Sequence, residues 1–115
     1  MQKLKNQKCV PCQGGEPTLT DEEIQDRKPE VPQWEIIEKD GVKQLKRQFD
    51  FPNFSSALAF TNRVGEIAEE AGHHPAILTE WGKVTVKWWS HEIKGLHQND
   101  FIMAAKTDEL YSEGK

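Results

Sequence analysis

Between Ala57 and Ala71 the apolar residues Ala57, Phe60, Val64, Ile67, Ala68 and Ala71 recur every three or four positions, and Gly72 then breaks the pattern. That spacing puts one apolar stripe along an α-helix, which needs a core to lie on. Glycine tolerates the left-handed conformation that ends many helices, so Gly72 reads as the C-cap. Pro75 disfavours helical geometry at His74, and the chain leaves in an extended direction. Ser55 or Ser56, after the break at Pro52-Asn53, is placed to cap the start. A helix apolar on one stripe supplies one layer of a domain, and the flanking chain must supply the other.

Both flanks read as hairpins. Upstream, Trp34 to Ile37 is strand-like, Asp40-Gly41 is a strong two-residue turn signal, and Val42 to Phe51 follows as a second strand. Leu45, Arg47, Phe49 and Phe51 share one face of it, so Arg47 predicts partial access to solvent. Downstream, Ala76 to Glu80 and Val84 to Ser90 flank a turn near Gly82-Lys83, with Val84, Val86 and Trp88 on one face. Thr20-Asp-Glu-Glu23 is a capping box that opens a short first helix, stopped before Pro29. A last helix begins near His97 to Asn99 and runs to about Leu110, with Phe101, Ala104, Ala105 and Leu110 as core contacts. The order helix, hairpin, helix, hairpin, helix predicts an α+β fold: a four-stranded antiparallel sheet with three helices packed on one face.

A chain of 115 residues suits one domain of the usual ~100–150 residues. Its apolar residues concentrate between Trp34 and Leu110, so residues 1–18 are expected to be a flexible N-terminal extension and 19–115 the domain. No apolar run approaches the ~20 residues of a membrane span, and the N-terminus lacks a signal peptide's apolar stretch. This predicts a cytoplasmic protein with no membrane partner. Net charge is −4, with pI near 5.6, and the lysines are scattered, which argues against a nucleic-acid partner. Cys9 and Cys12 form a Cys-x-x-Cys. Tetrahedral zinc would need two more ligands, and a thioredoxin-like motif should open a helix where Gly14-Gly15 stands instead. A reduced, solvent-exposed tail is the expected state.

Chemistry concentrates elsewhere. His73, His74 and His91 fall within nineteen residues, flanked by Glu69 and Asp100. Imidazole alone has an unperturbed pKa near neutrality, so the cluster suits either proton transfer or metal binding. Consecutive side chains in an extended segment point apart, so His73 and His74 do not easily converge on one ion, and no metal site is assigned. Glu69 precedes His73 by four residues and could orient an imidazole. Asp100 would lie in the first turn of the last helix, where the dipole favours a carboxylate. Trp81, Trp88 and Trp89 read as core or interface residues, and His97 as a surface residue.

The pattern Glu69-x-x-x-His73-His74-Pro75, then Trp81, His91 and Asp100, resembles the pterin-4a-carbinolamine dehydratases. The likeness runs from about Leu19 to Leu110 and leaves the Cys9-to-Gly15 segment outside. Trp81 stands where that family often has tyrosine, and His97 where it often has a serine or threonine cap. The resemblance implies dehydration of 4a-hydroxytetrahydropterin, a product of aromatic amino acid hydroxylases, to quinonoid dihydropterin. It implies His73 and His91 as the acid–base pair and His74 as the main substrate-orienting residue. Glu69, Pro75, Trp81 and Asp100 would then support the imidazoles or contact the pterin. A ring nitrogen's lone pair expels the hydroxyl, so the implied chemistry calls for no cofactor. Members of the family form dimers or tetramers. Other roles the resemblance implies are a non-enzymatic assembly chaperone for Rubisco and a part in molybdenum-cofactor metabolism; the full histidine set favours the dehydratase.

Overall fold

The computed structural model describes residues 4–9 and 17–113; Cys12 lies outside them. Helix α1, Asp21–Arg27, opens on the expected capping box: Thr20 Oγ1 accepts from Glu23 N–H at 3.2 Å and Glu23 Oε1 accepts from Thr20 N–H at 2.9 Å. A 3₁₀ turn, Lys28–Glu30, carries Pro29 in its first turn, where a missing N–H costs nothing.

Strands β1, Glu35–Lys39, and β2, Val42–Asp50, form the first hairpin. Asp40 and Gly41 both have positive φ, 53° and 80°, as a two-residue turn matched to strand twist requires. Helix α2 spans Phe54–Ala71 and is capped by Asn53, whose side chain accepts from Ser56 N–H at 2.8 Å. The cap is therefore neither Ser55 nor Ser56; Asn53 starts the helix earlier and both serines fall in its first turn. Strands β3, Ala76–Glu80, and β4, Lys83–Trp88, make the second hairpin, and helix α3 spans Gln98–Glu113. The antiparallel sheet has the order β1-β2-β4-β3.

One sheet face is apolar because the strand period of two aligns Leu45 and Phe49 on β2 with Val84, Val86 and Trp88 on β4, all buried. The stripe Ala57, Phe60, Val64 and Ala68 of α2 covers it, together with an unbroken run, Phe101 to Ala105, on α3. Arg47 interrupts that face but stays within it: it pairs with Asp108 of α3 at 2.6 Å and its guanidinium lies 4.4 Å above the Phe49 ring. Trp34 Nε1 donates to the same carboxylate oxygen at 2.8 Å.

Part of the expected extension, residues 4–9, lies against the domain. Leu4 is buried in the core beside α3, and its N–H donates to Glu30 Oε1 at 3.0 Å. Burying a leucine contributes ~1.5–3 kcal/mol, which offsets part of the ~1–2 kcal/mol per residue that ordering a backbone segment costs. Among the described residues, no helix is long and apolar enough to cross a membrane.

Candidate active site

The β3–β4 register pairs Ala76 with Lys87 at the hairpin's open end. Residues just before β3 therefore lie beside those just after β4, although seventeen positions separate His73 from Ser90. Gly72 ends α2 in the left-handed conformation, φ 66° and ψ 27°, and His73 N–H donates back to Ala68 O at 3.1 Å. This closure turns His73 off the helical track and inward.

His73 is nearly buried, its ring stacked on the Trp88 indole with centroids 5.7 Å apart and planes 11° from parallel. Its Nε2 lies 2.6 Å from Asp100 Oδ1. Asp100 is fully buried and accepts twice more at Oδ2, from Ser90 Oγ and from His97 N–H, both at 2.9 Å. A carboxylate only accepts, so Nε2 of His73 carries the proton and Nδ1 is left as the acceptor nitrogen of the ring. Asp100 also stands in the first turn of α3, as expected.

His97 is not a bare surface residue. Its Nδ1 accepts from Asn99 N–H at 3.1 Å, so the imidazole does the capping work of a serine at the start of α3. Ser90 was missed by sequence reasoning; the signal available was its position opposite His73 across the hairpin.

His74 takes the other direction. Its ring is largely exposed, with Nε2 2.6 Å from Glu69 Oε1, itself exposed. Glu69 thus orients His74, five residues on, rather than His73, because the Gly72 closure moves His73 away. Pro75 is half-buried at the start of β3. His91 is exposed and lies against Trp89, ring centroids 4.4 Å apart. A backbone bridge between Ser90 and Gly95 closes the turn that holds it.

Trp81 is not brought to this group within the chain. It occupies the β3–β4 turn, 73 % exposed, and the length of β3 puts it about 20 Å from His74 at ~3.3 Å per residue. Cys9 also departs from expectation: it is half-buried, its Sγ 3.9 Å from Asn99 O, and burial pushes its thiol up to about 11 despite Lys106 nearby. Such a thiol is a poor nucleophile at neutral pH. Among the described residues, no group of three His, Cys, Asp or Glu side chains is arranged to hold a metal ion.

The sequence profile of the family described as pterin 4 alpha carbinolamine dehydratase matches residues 17–110. The chain belongs to that family. A protein of Nitrosococcus oceani is 60 % identical over 110 residues, covering 96 % of this chain and 97 % of that one. One of Microcystis aeruginosa is 54 % identical over 113 residues, covering 98 % and 97 %. Both carry the name "Putative pterin-4-alpha-carbinolamine dehydratase". Among solved structures, the transcriptional coactivator/pterin dehydratase of Brucella melitensis is similar with TM-score 0.73 and 28 % identity, over 82 % of this chain and 98 % of that one. A pterin dehydratase-like protein identified as a RuBisCO assembly factor in the alpha-carboxysome shares the fold, with TM-score 0.58 and 24 % identity over 68 % of this chain and 88 % of its own. Every site residue from Glu69 to Asp100 lies inside the family match.

Proposed function

We propose that this chain is a 4a-hydroxytetrahydropterin dehydratase working by histidine acid–base catalysis. The observation that carries this reading is the buried Asp100–His73 pair at 2.6 Å, with Asp100 satisfied on its other oxygen. An imidazole held in one tautomer, its second nitrogen free for exchange, is the equipment a proton-transfer step needs.

In the reaction the C4a–O bond breaks as a general acid protonates the departing hydroxyl, which leaves as water. The adjacent ring nitrogen's lone pair forms the C=N bond, and a base takes the ring N–H proton. One proton is delivered and one removed, so the net proton count of the enzyme is unchanged, and proton exchange with solvent resets the acid and the base for the next turnover. His73 and His91 are the acid–base pair, and His74, oriented by Glu69, grips the pterin beside Pro75. Asp100 positions His73.

The test is dehydration of freshly generated carbinolamine by the purified chain. We expect acceleration that survives chelator treatment, and a loss of ~10²–10⁴-fold, the usual worth of general acid–base catalysis, in the His73→Ala/His91→Ala double variant. Full activity in that variant refutes the mechanism.

A further inference from the structure

Two tryptophans stand side by side at the end of β4, and strand alternation sends them to opposite faces. Trp88 is buried on the helix side, where His73 stacks on it. Ser90, two residues on, shares that side and reaches Asp100. Trp89 takes the other face, and His91 lies against it, ring centroids 4.4 Å apart and planes tilted by 43°. Each imidazole of the proposed acid–base pair therefore rests on an indole of its own.

The histidines differ in what else holds them. His73 has the Asp100 carboxylate 2.6 Å from Nε2, and His74 has Glu69 at the same distance. Among the described residues, His91 makes no side-chain hydrogen bond or ion pair; its ring contact is Trp89. Its backbone is fixed, since Ser90 N–H donates to Gly95 O at 2.9 Å and Gly95 N–H returns to Ser90 O at 3.4 Å. The side chain is exposed, so the indole is what limits rotation about its two torsions.

Trp89 can restrain a neighbour because it is itself held. It is half-buried and packs against the core. One residue beyond the Leu45–Trp88 pair of the β2–β4 register, Gln44 comes across from it. Gln44 is 5 % exposed, whereas Gln48 and Asp50, on the same face of β2, are open to solvent. A half-buried indole across from Gln44 accounts for that difference. Aromatic rings at about this separation also attract beyond the area they bury.

We propose that Trp89 is the positioning residue of His91, its indole face holding the exposed imidazole in the orientation that proton transfer needs. The hold stands on the ring geometry; its use in catalysis rests on the dehydratase reading above. Misplacing a catalytic group by about 1 Å can cost on the order of 10²-fold in rate, so freeing His91 leaves a slow enzyme rather than an inactive one.

Imidazole ¹H–¹³C spectra test the hold. Trp89→Met removes the ring but keeps a flexible apolar side chain against the core, and Trp89→Phe keeps a ring. The His91 signals, assigned by their loss in His91→Ala, should be displaced by ring current from those of an exposed histidine. They should return in Trp89→Met and stay displaced in Trp89→Phe. Undisplaced His91 signals in the wild type overturn the hold, whether or not the protein is an enzyme and whether or not Trp89→Met folds. Dehydration kinetics test the use. Trp89→Met should lower kcat by ~10–10²-fold with KM within about threefold, and Trp89→Phe should stay within about threefold of wild type. In a His91→Ala background, Trp89→Met should cost less than about twofold further, because the two residues act as a unit. A loss confined to KM, or the same loss with and without His91, overturns the proposal in favour of substrate contact or a purely structural tryptophan. A wild type whose His91 signals are displaced but which dehydrates nothing supports the hold and refutes the dehydratase reading.

Discussion

Replacing Asp100 with asparagine changes one atom in a buried network and should invert the tautomer of His73. His97 N–H can only donate, so the oxygen of the introduced amide must take the Oδ2 position, where it also keeps the Ser90 hydroxyl; both bonds are 2.9 Å in the native site. The amide NH₂ then faces His73 Nε2, which in the native site lies 2.6 Å from Oδ1. Two donors cannot share that contact, so Nε2 must accept and the ring proton moves to Nδ1. The variant loses one charge-assisted hydrogen bond, worth ~1.5–3 kcal/mol, and a first-turn carboxylate worth ~0.3–1 kcal/mol. Unfolding free energy in urea should fall by about 2–4 kcal/mol, leaving the protein folded. Activity should fall by ~10²–10⁴-fold, since the nitrogen meant to exchange a proton with substrate now has the wrong state. Imidazole ¹⁵N spectra report the tautomer directly. An Asp100→Asn protein that keeps the Nε2–H form, or folds and retains activity within about threefold, refutes the argument.

Neighbouring histidines should differ sharply in stability. His73→Ala strands the buried Asp100 and should cost about 3 kcal/mol or more, whereas His74→Ala removes an exposed pair and should cost less than ~1 kcal/mol by the same denaturation assay. With its thiol pushed up to about 11, Cys9 should alkylate at pH 8 on the order of 10²-fold more slowly than an unfolded cysteine of pKa ~8.5, read by mass spectrometry of the peptide. Burial raises the Asp108 carboxyl above its usual range, outweighing the lowering by the Trp34 and Arg47 bonds. The folded chain therefore binds that proton before the unfolded chain does, whose carboxyl sits near ~3.9. This group's contribution grows as pH falls through the raised folded value toward the unfolded one, and is lost as pH rises. Wild type compared with Asp108→Asn in stepped-pH urea melts should gain on acidification; a relative loss would contradict the assignment.

Elements carried by local chemistry were legible from the sequence. The capping box at Thr20, the Asp40-Gly41 turn, the α2 stripe and its Gly72 end all depend on residues within a few positions of each other. Long-range contacts were not. Leu4 offers no periodic pattern, so nothing in its neighbourhood signals that a single leucine reaches α3. Helical spacing pointed Glu69 at His73, but the left-handed step at Gly72 redirected it to His74. Asp100 was legible as a helix-start carboxylate, while its partners lie ten residues back at Ser90 and twenty-seven back at His73. Those pairings follow only once the second hairpin's register is fixed. His97 looked like a lone polar residue because capping by an imidazole nitrogen is less common than capping by a hydroxyl or carboxylate.

The site is best understood as a meeting of three chain ends, and that explains how two consecutive histidines come to do different work. The C-terminal end of α2 delivers His73 and His74, the end of β4 delivers Ser90 and His91, and the start of α3 delivers His97 and Asp100. Hairpin register brings the first two together, and the Ser90–Gly95 bridge folds the chain back to bring the third. An imidazole at the negative pole of α2 and a carboxylate at the positive pole of α3 each stand where the helix dipole suits them. Gly72 then decides the split. Its left-handed step sends His73 into the sheet-and-helix interior, against Trp88 and Asp100, and the alternation of extended chain sends His74 to solvent. One ring is fixed by a buried acid and one remains free to meet a ligand. In the proposed mechanism a single helix end thus supplies both a positioned proton carrier and an accessible grip, which neither histidine could provide from a continuous helix.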